Sequence, residues 1–225
     1  MKKPIIQTKS KNEQVYEYLH FQILHGQLAP GSRLVIDKIA DDLGVSQIPI
    51  REAMFRLEAD GLINFEPHVG AKVTALKANE ITEVFQVLEA MEVISGRAAC
   101  RRISEQNIAW LEKLMAEMDA VKGDPNQWSI HNKEFHQYIC DIAETGLVNK
   151  VLREALDHWD RLRHYYLKEV SAKRVPLAQK EHEALIKSLK ARDADKFEAI
   201  IRKHNQESLQ AYIAHLEKIG ELDHA

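Results

Sequence analysis

Four side chains in the C-terminal two thirds of this 225-residue chain have the types and spacing of a metal centre. Asn132 and His136 stand four apart, so on a helix both project from one face. His182 and His204 each sit beside apolar pairs, Leu185 with Ile186 and Ile200 with Ile201, which puts them next to the inner stripe of any helix that carries them. Three imidazoles and an amide oxygen gathered on one point suit Zn²⁺, or another first-row ion such as Ni²⁺. Taken singly, each histidine reads equally as a hydrogen-bonded core or boundary residue. A His₃ site with an open position can activate water, so a metal-dependent enzyme is one reading of the cluster, and a sensor of metal level without an organic ligand is another. Against the enzyme, Glu134 lies two positions from both Asn132 and His136, off their helix face, and no other carboxylate is placed as a general base.

A second group has the chemistry of a nucleic-acid contact. In Leu43-Gly44-Val45-Ser46-Gln47-Ile48-Pro49-Ile50-Arg51, Gly44 can take the positive φ of a tight turn, Ser46 can cap the next helix through its hydroxyl, and Pro49 falls in the first turn, where no amide donor is needed. Gln47 and Arg51 then share one face near the N-terminal end of that helix, where a recognition helix presents side chains to base edges and phosphates. The alternative is an ordinary helical hairpin packed in a core.

The elements that must carry these groups follow from the periodicity. Asn12 to His25 is a first helix that stops at Gly26, Leu28 to Leu34 is a Pro-Gly turn exposing Arg33, and Val35 to Leu43 is a second helix leading into the third. Leu62 to Glu66 and Ala71 to Thr74 read as strands, joined by a tip at Pro67-His68-Val69-Gly70. Three helices and a two-stranded wing make a winged helix, whose tip, with His68, Gly70 and Lys72, can approach a phosphate backbone closely. From Asn79 onward there are only helix signals: Asn79 to Ile103, Ser104 to Val121, Pro125 to Asp141, Leu147 to Val170, Pro176 to Ala191 and Asp193 to about Gly220. The expected fold is thus mainly α, a winged helix-turn-helix over residues 1–75, a link over 76–78, and an all-α antiparallel six-helix bundle over 79–225.

Composition narrows the partners. The net charge is −3, and the first 75 residues hold nine basic against nine acidic side chains, so DNA binding must rest on the placement of a few groups. No apolar run approaches the roughly 18 residues of a membrane span, and the Met1-Lys2-Lys3-Pro4 start leads into no signal core, which predicts a cytoplasmic protein without a membrane partner. Cys100 and Cys140 are far apart and read as small buried hydrophobes.

These motifs carry a family resemblance. Pro30-Gly31-Ser32-Arg33-Leu34, Ile39-Ala40-Asp41-Asp42-Leu43-Gly44-Val45-Ser46, Pro49-Ile50-Arg51-Glu52-Ala53, Leu57, Gly61-Leu62 and Gly70 resemble the N-terminal domain of GntR-type bacterial transcription regulators. The resemblance implies operator contacts by Arg33 and Arg51, with Ser46, Gln47, His68 and Gly70 around them. Gln47 stands where the family usually has Arg, and Ile48 where it usually has Thr. That loses a cation, and leaves an amide able to pair with adenine N6 and N7.

The bundle is similar to the FCD effector domain of the FadR-like branch, on Asn132-Lys133-Glu134-Phe135-His136, Glu181-His182-Glu183-Ala184-Leu185 and Ala191-Arg192-Asp193-Ala194 leading to His204. The likeness implies that Asn132, His136, His182 and His204 hold a divalent metal, zinc ahead of nickel, beside a pocket for a small carboxylate. Asn132, where Asp is also found, makes the site one unit more positive. Leu88 holds the place where many relatives have an Arg, and Arg163, bordering the stripe of Trp159, Leu162 and Tyr166, is the expected substitute clamp. The expected function is that of a homodimeric, metabolite-responsive regulator of transcription, a repressor relieved by an organic acid, and not an enzyme.

Overall fold

The computed structural model describes residues 9–67, 69–75 and 77–222. The chain divides into two compact units, Met1–Leu76 and Lys77–Ala225.

In the first unit, helices α1 (Lys11–Leu24), α2 (Ile36–Leu43) and α3 (Gln47–Ala59) pack on a small antiparallel sheet. Val15, Leu19 and Ile23 of α1 meet Ile50, Met54 and Leu57 of α3, all nearly without exposed surface, as the i, i+4 spacing of both helices requires. Gly44 ends α2 in the left-handed region at φ 63°, so the chain turns into α3 within three residues. Ser46 occupies the position before α3 but makes no side-chain cap, contrary to its expected role; its backbone is extended and its hydroxyl is left to solvent. The wing has three strands rather than two. Hairpin strands β2 (Ile63–Glu66) and β3 (Gly70–Val73) are joined by β1 (Arg33–Leu34), which pairs Arg33 with Lys72 and Leu34 with Ala71. A two-residue strand has no periodicity to read, so it was legible only as the turn it leaves. His68 lies outside the described residues.

The second unit holds six helices among its described residues: α4 (Glu80–Arg102), α5 (Glu105–Ala120), α6 (Pro125–Ala143), α7 (Gly146–Leu162), α8 (Lys168–Lys190) and α9 (Ala194–Ile219). Three starts are capped as the sequence dictates: Ser104 and Asn107 form a reciprocal capping box, Asp124 accepts from the amides of Asn126 and Gln127 ahead of which Pro125 needs no donor, and Asp193 accepts from Lys196. Asn79, expected to cap α4, is itself in helical conformation and makes no cap bond. Helix α4 is the strut of the bundle and packs on α9, α7 and α6. Cys100 and Cys140 are buried, and burial pushes both thiols up.

The expected break near residues 170–176 is displaced. Helix α7 passes instead through a π-helical turn, Arg163–Leu167, into α8, and Pro176 lies inside α8. A π turn carries an extra residue, which rotates everything after it by about one position. A strict 3.6-residue period running on from Leu152, Leu156 and Trp159 would turn 163, 166 and 170 inward. Arg163 is buried as that period requires, but beyond it the buried positions include Leu167, Ser171, Ala178 and His182, one residue later than the period predicts. The insertion is therefore what brings His182, rather than its neighbour Glu181, to the inner face.

Candidate functional site

Three helices bring the histidines together. Helix α6 presents Asn132 and His136 one turn apart, α8 presents His182, and α9 presents His204, and all four residues are buried. The ring centroids form a near-equilateral triangle: 5.1 Å from His136 to His182, 5.3 Å from His136 to His204, and 5.1 Å from His182 to His204. One ligand nitrogen from each ring lies within 4.8 Å of the others.

Two carboxylates orient two of the rings. Nδ1 of His136 donates to Glu92 Oε1 at 2.6 Å, and Nδ1 of His204 donates to Glu181 Oε2 at 2.6 Å. A carboxylate can only accept, so the proton sits on Nδ1 and each Nε2 is left with its lone pair, which is the arrangement that a metal-ligating histidine needs. Burial opposes the charge of Glu92, yet His136 and the hydrogen bonds from His136 and Asn205 outweigh it and hold the carboxyl below its usual range; Asn205 Nδ2 donates at 2.6 Å. Burial likewise opposes the charge of Glu181, and His204 and Arg174 prevail. His182 has no such partner. Its Nδ1 and Nε2 are both buried without a hydrogen bond, as is Oδ1 of Asn132. Leaving three such atoms desolvated is costly, and a cation is the one partner that would satisfy an imidazole lone pair and an amide oxygen together. The residues present therefore fit a divalent metal.

His182 and His204 are also held ready for one. Burial, then the charges of His136, His204 and Arg174, push His182 well below its usual value; burial pushes His204 down against the pull of Glu181. Because the folded values lie below the unfolded value of about 6.5, the unfolded chain takes up protons first as the pH falls, and stability is lost downward from there. Metal-free protein should keep its melting temperature between about pH 8 and 7 and lose it progressively below about 6.5. Thermal unfolding monitored by circular dichroism across that range checks this, and a melting temperature that rose on acidification would contradict it.

A pocket opens beside the cluster. Its lining includes the polar groups of Glu92, His136, His204 and Arg174 and the apolar side chains of Phe85, Leu88, Leu156 and Trp159. The expected clamp, Arg163, is not among its lining residues. Arg163 is buried in the π turn, where Nε and Nη2 donate to Asp160 Oδ1 at 3.0 and 2.9 Å and Nη1 to Asn126 at 3.3 Å. The arginine that reaches the pocket is Arg174, whose Nη2 grips both oxygens of Glu181 at 3.1 and 2.8 Å while Nε donates to Ser208 at 3.2 Å. Sequence reasoning missed Glu92, Glu181 and Arg174. For Glu92 there was a signal, a lone charge in the inward series Leu88, Glu92, Ser95 and Ala99 of α4. Arg174 fell between the expected helices ending at Val170 and starting at Pro176, so it had no face to be read from, whereas one helix runs through it.

On the first unit, Gln47 and Arg51 are exposed one turn apart on α3. Among the described residues no ion pair or hydrogen bond engages Arg51. Gln47 Nε2 donates to Asp37 Oδ1 at 2.5 Å, so its amide N–H is engaged across the turn and its carbonyl oxygen is the free end. Ile48, beside it, is 68% exposed. On the wing, Gly70 has φ 98°, and the guanidinium of Arg33 passes over it, 3.9 Å from where a Cβ would stand. A side chain at residue 70 would thus be strained by the positive φ while meeting the arginine only at van der Waals distance.

Comparisons with known proteins bear on both units. Residues 83–207 match the FCD domain family, and residues 11–73 match the family of bacterial regulatory proteins described as the gntR family. An HTH-type transcriptional regulator of Bacillus subtilis, YdhC, is 27% identical over 207 residues, spanning 90% of this chain and 86% of its own. The HTH-type transcriptional repressor RspR of Escherichia coli is 27% identical over 202 residues, spanning 89% and 88%. Among solved structures, E. coli McbR/YncC superposes with a TM-score of 0.79 at 20% identity, covering 92% of this chain and 99% of that one, a likeness of fold. Families and relatives alike are regulators of transcription rather than enzymes. No helix among the described residues is long and apolar enough to cross a membrane.

Proposed function

The chain belongs to the GntR family of bacterial regulators, in the branch whose second domain is an FCD domain, and is a DNA-binding regulator of transcription; from that premise we propose that it is a repressor whose grip on its operator is set by a divalent metal and a small carboxylate in the bundle. Residues 1–75 form the DNA-binding domain, 76–78 the link and 79–225 the effector domain. Two copies of the chain bind two half-sites of a near-palindromic operator.

The observation that carries the metal is the pair of orphaned nitrogens on His182, enclosed with the orphaned oxygen of Asn132. Asn132, His136, His182 and His204 would hold the ion, Zn²⁺ ahead of Ni²⁺, while Glu92 and Glu181 fix the tautomers of two ligands. When bound, the metal supplies a Lewis-acidic anchor for an anionic group. The carboxylate effector sits in the adjoining pocket, and its preference for one arrangement of the helices couples the two domains.

At the DNA, Arg51 and Arg33 are the contacts that carry affinity, with Ser46, Gln47 and Gly70 beside them, and His68 is a further contact expected from the sequence. Gln47 must release Asp37 before it can pair with adenine through both amide groups; held as it is, it accepts from a base amino group. Arg51→Ala should weaken operator binding by about 10- to 100-fold, the scale of a lost bidentate contact. A gel-shift titration at fixed salt, on an operator recovered by selection from randomised duplexes, measures it. Unchanged affinity would remove Arg51 from the interface.

A further inference from the structure

The proposal above leaves the class of carboxylate open, and the pocket walls narrow it. Among the described residues lining the pocket, Arg174 is the sole arginine or lysine. Its guanidinium is already committed: Nη2 to Glu181 and to the backbone oxygen of His204 at 3.3 Å, Nε to Ser208, and Nη1 lies 3.6 Å from Glu207. Arg174 and Glu181 therefore cancel, and among the described residues no free cation faces the pocket.

The remaining charges can be counted. Three imidazoles and Asn132 are neutral ligands, the ion brings two positive charges, and Glu92, buried 2.6 Å from His136, brings one negative. One positive charge is left over, which a single carboxylate neutralises. Glu92 thus restores the negative charge that an Asp at residue 132 would have supplied. A second carboxylate on the ligand would find no compensating cation, only the apolar wall of Phe85, Leu88, Leu156 and Trp159 and the neutral groups of Ser171 and Asn205, so burial would strip its water without a charge to offset the loss. Leu88 is 4% exposed and Phe85 packs edge-on to Tyr212 with centroids 5.5 Å apart, so the wall is formed and apolar.

Resting on the metal and carboxylate reading of this site, we infer that the effector is an amphiphilic monocarboxylate, its carboxylate at the metal and an aliphatic or aromatic body against the wall of α4, α7 and α9. Dicarboxylates and tricarboxylates are excluded by the charge count and by Leu88.

The test is a calorimetric titration of zinc-loaded full-length protein, with metal content measured on the same samples. The probes are acetate, butyrate, hexanoate, phenylacetate, succinate and citrate. Affinity should climb from acetate to hexanoate by about 3- to 4-fold per methylene until the wall is covered, the value of one buried CH₂. Phenylacetate should exceed succinate and citrate by roughly 10-fold or more, because a hydrophobic wall rejects a buried charge. Leu88→Arg should lower phenylacetate affinity and raise that of citrate, and the wild-type series decides the question if that variant does not fold. Protein that holds zinc but binds citrate or succinate best, or shows no dependence on chain length, overturns the inference and leaves the metal reading standing. Protein that holds no zinc overturns both.

Discussion

His182→Ala is expected to abolish tight metal binding. His182 is the one ligand of the three imidazoles with neither nitrogen hydrogen-bonded, and it is fully buried between Phe135, 4.5 Å from ring to ring, and Trp128, 5.9 Å away. Loss of an outer partner of a metal ligand costs about 10- to 100-fold in affinity, so loss of the ligand itself should cost more than about 100-fold. The same substitution has a second, distinguishing consequence. In metal-free protein it opens a cavity, which costs stability, but it also removes two desolvated nitrogens, which returns some. In zinc-loaded protein only the losses remain. At a zinc concentration about 1,000 times its dissociation constant, binding adds roughly 4 kcal/mol to wild-type stability, and the variant should gain almost none of it. Thermal melts with and without zinc measure the difference. An equal zinc-induced gain in both proteins would show that His182 is a packed core residue.

Gly96→Ala is expected to have the largest effect on stability. A Cβ at Gly96 would stand 1.8 Å from Cε1 of Phe197 and 2.4 and 2.5 Å from Cδ1 and Cζ, while Phe197 itself is 1% exposed. The ring has no free volume to enter, so either α4 and α9 separate or the ring is forced from its rotamer. Overpacking of this severity costs about 3 kcal/mol or more, a fall of roughly 10 °C in melting temperature for a chain of this size. Phe197→Leu in the same chain should recover part of it, since it removes ring atoms from the point of contact. Additive losses in the double variant would refute the steric explanation.

The two units were unequally legible. Helix starts with strong local chemistry, Ser104, Asp124 with Pro125, and Asp193, stand where the residues place them, because a cap is a contact between neighbours in sequence. Ser46 and Asn79 have the right side chains and make no cap, since residue type permits a cap bond without requiring one. The wing hairpin was legible from its alternation, whereas β1 exists only through its pairing with β3. In the site, Asn132, His136, His182 and His204 stood out because polar residues beside apolar stripes are conspicuous. Their partners did not. Glu92 reaches His136 from a helix more than 40 residues away in sequence, and no spacing rule connects them. Arg163 was read correctly as lying on the inner face, but its guanidinium is spent on Asp160, whereas Arg174 fell in an expected break between helices that the structure closes.

The π turn also links fold to function. It sets the phase of α8, and α8 carries both His182 and the Arg174–Glu181 pair that steadies His204. A movement of this segment would shift His182 and the carboxylate that orients His204 at once. Among the described residues of the first unit there is no comparable buried polar side chain, and Gln47, Ile48 and Arg51 at the start of α3 are exposed.

The central claim, that the buried histidines hold a metal governing this regulator, is tested most directly by native mass spectrometry of full-length protein purified without chelator. One divalent ion per chain is expected, retained in wild type and missing from His182→Ala folded under the same conditions. Wild-type protein of metal-free mass that takes up no zinc or nickel when titrated would contradict it.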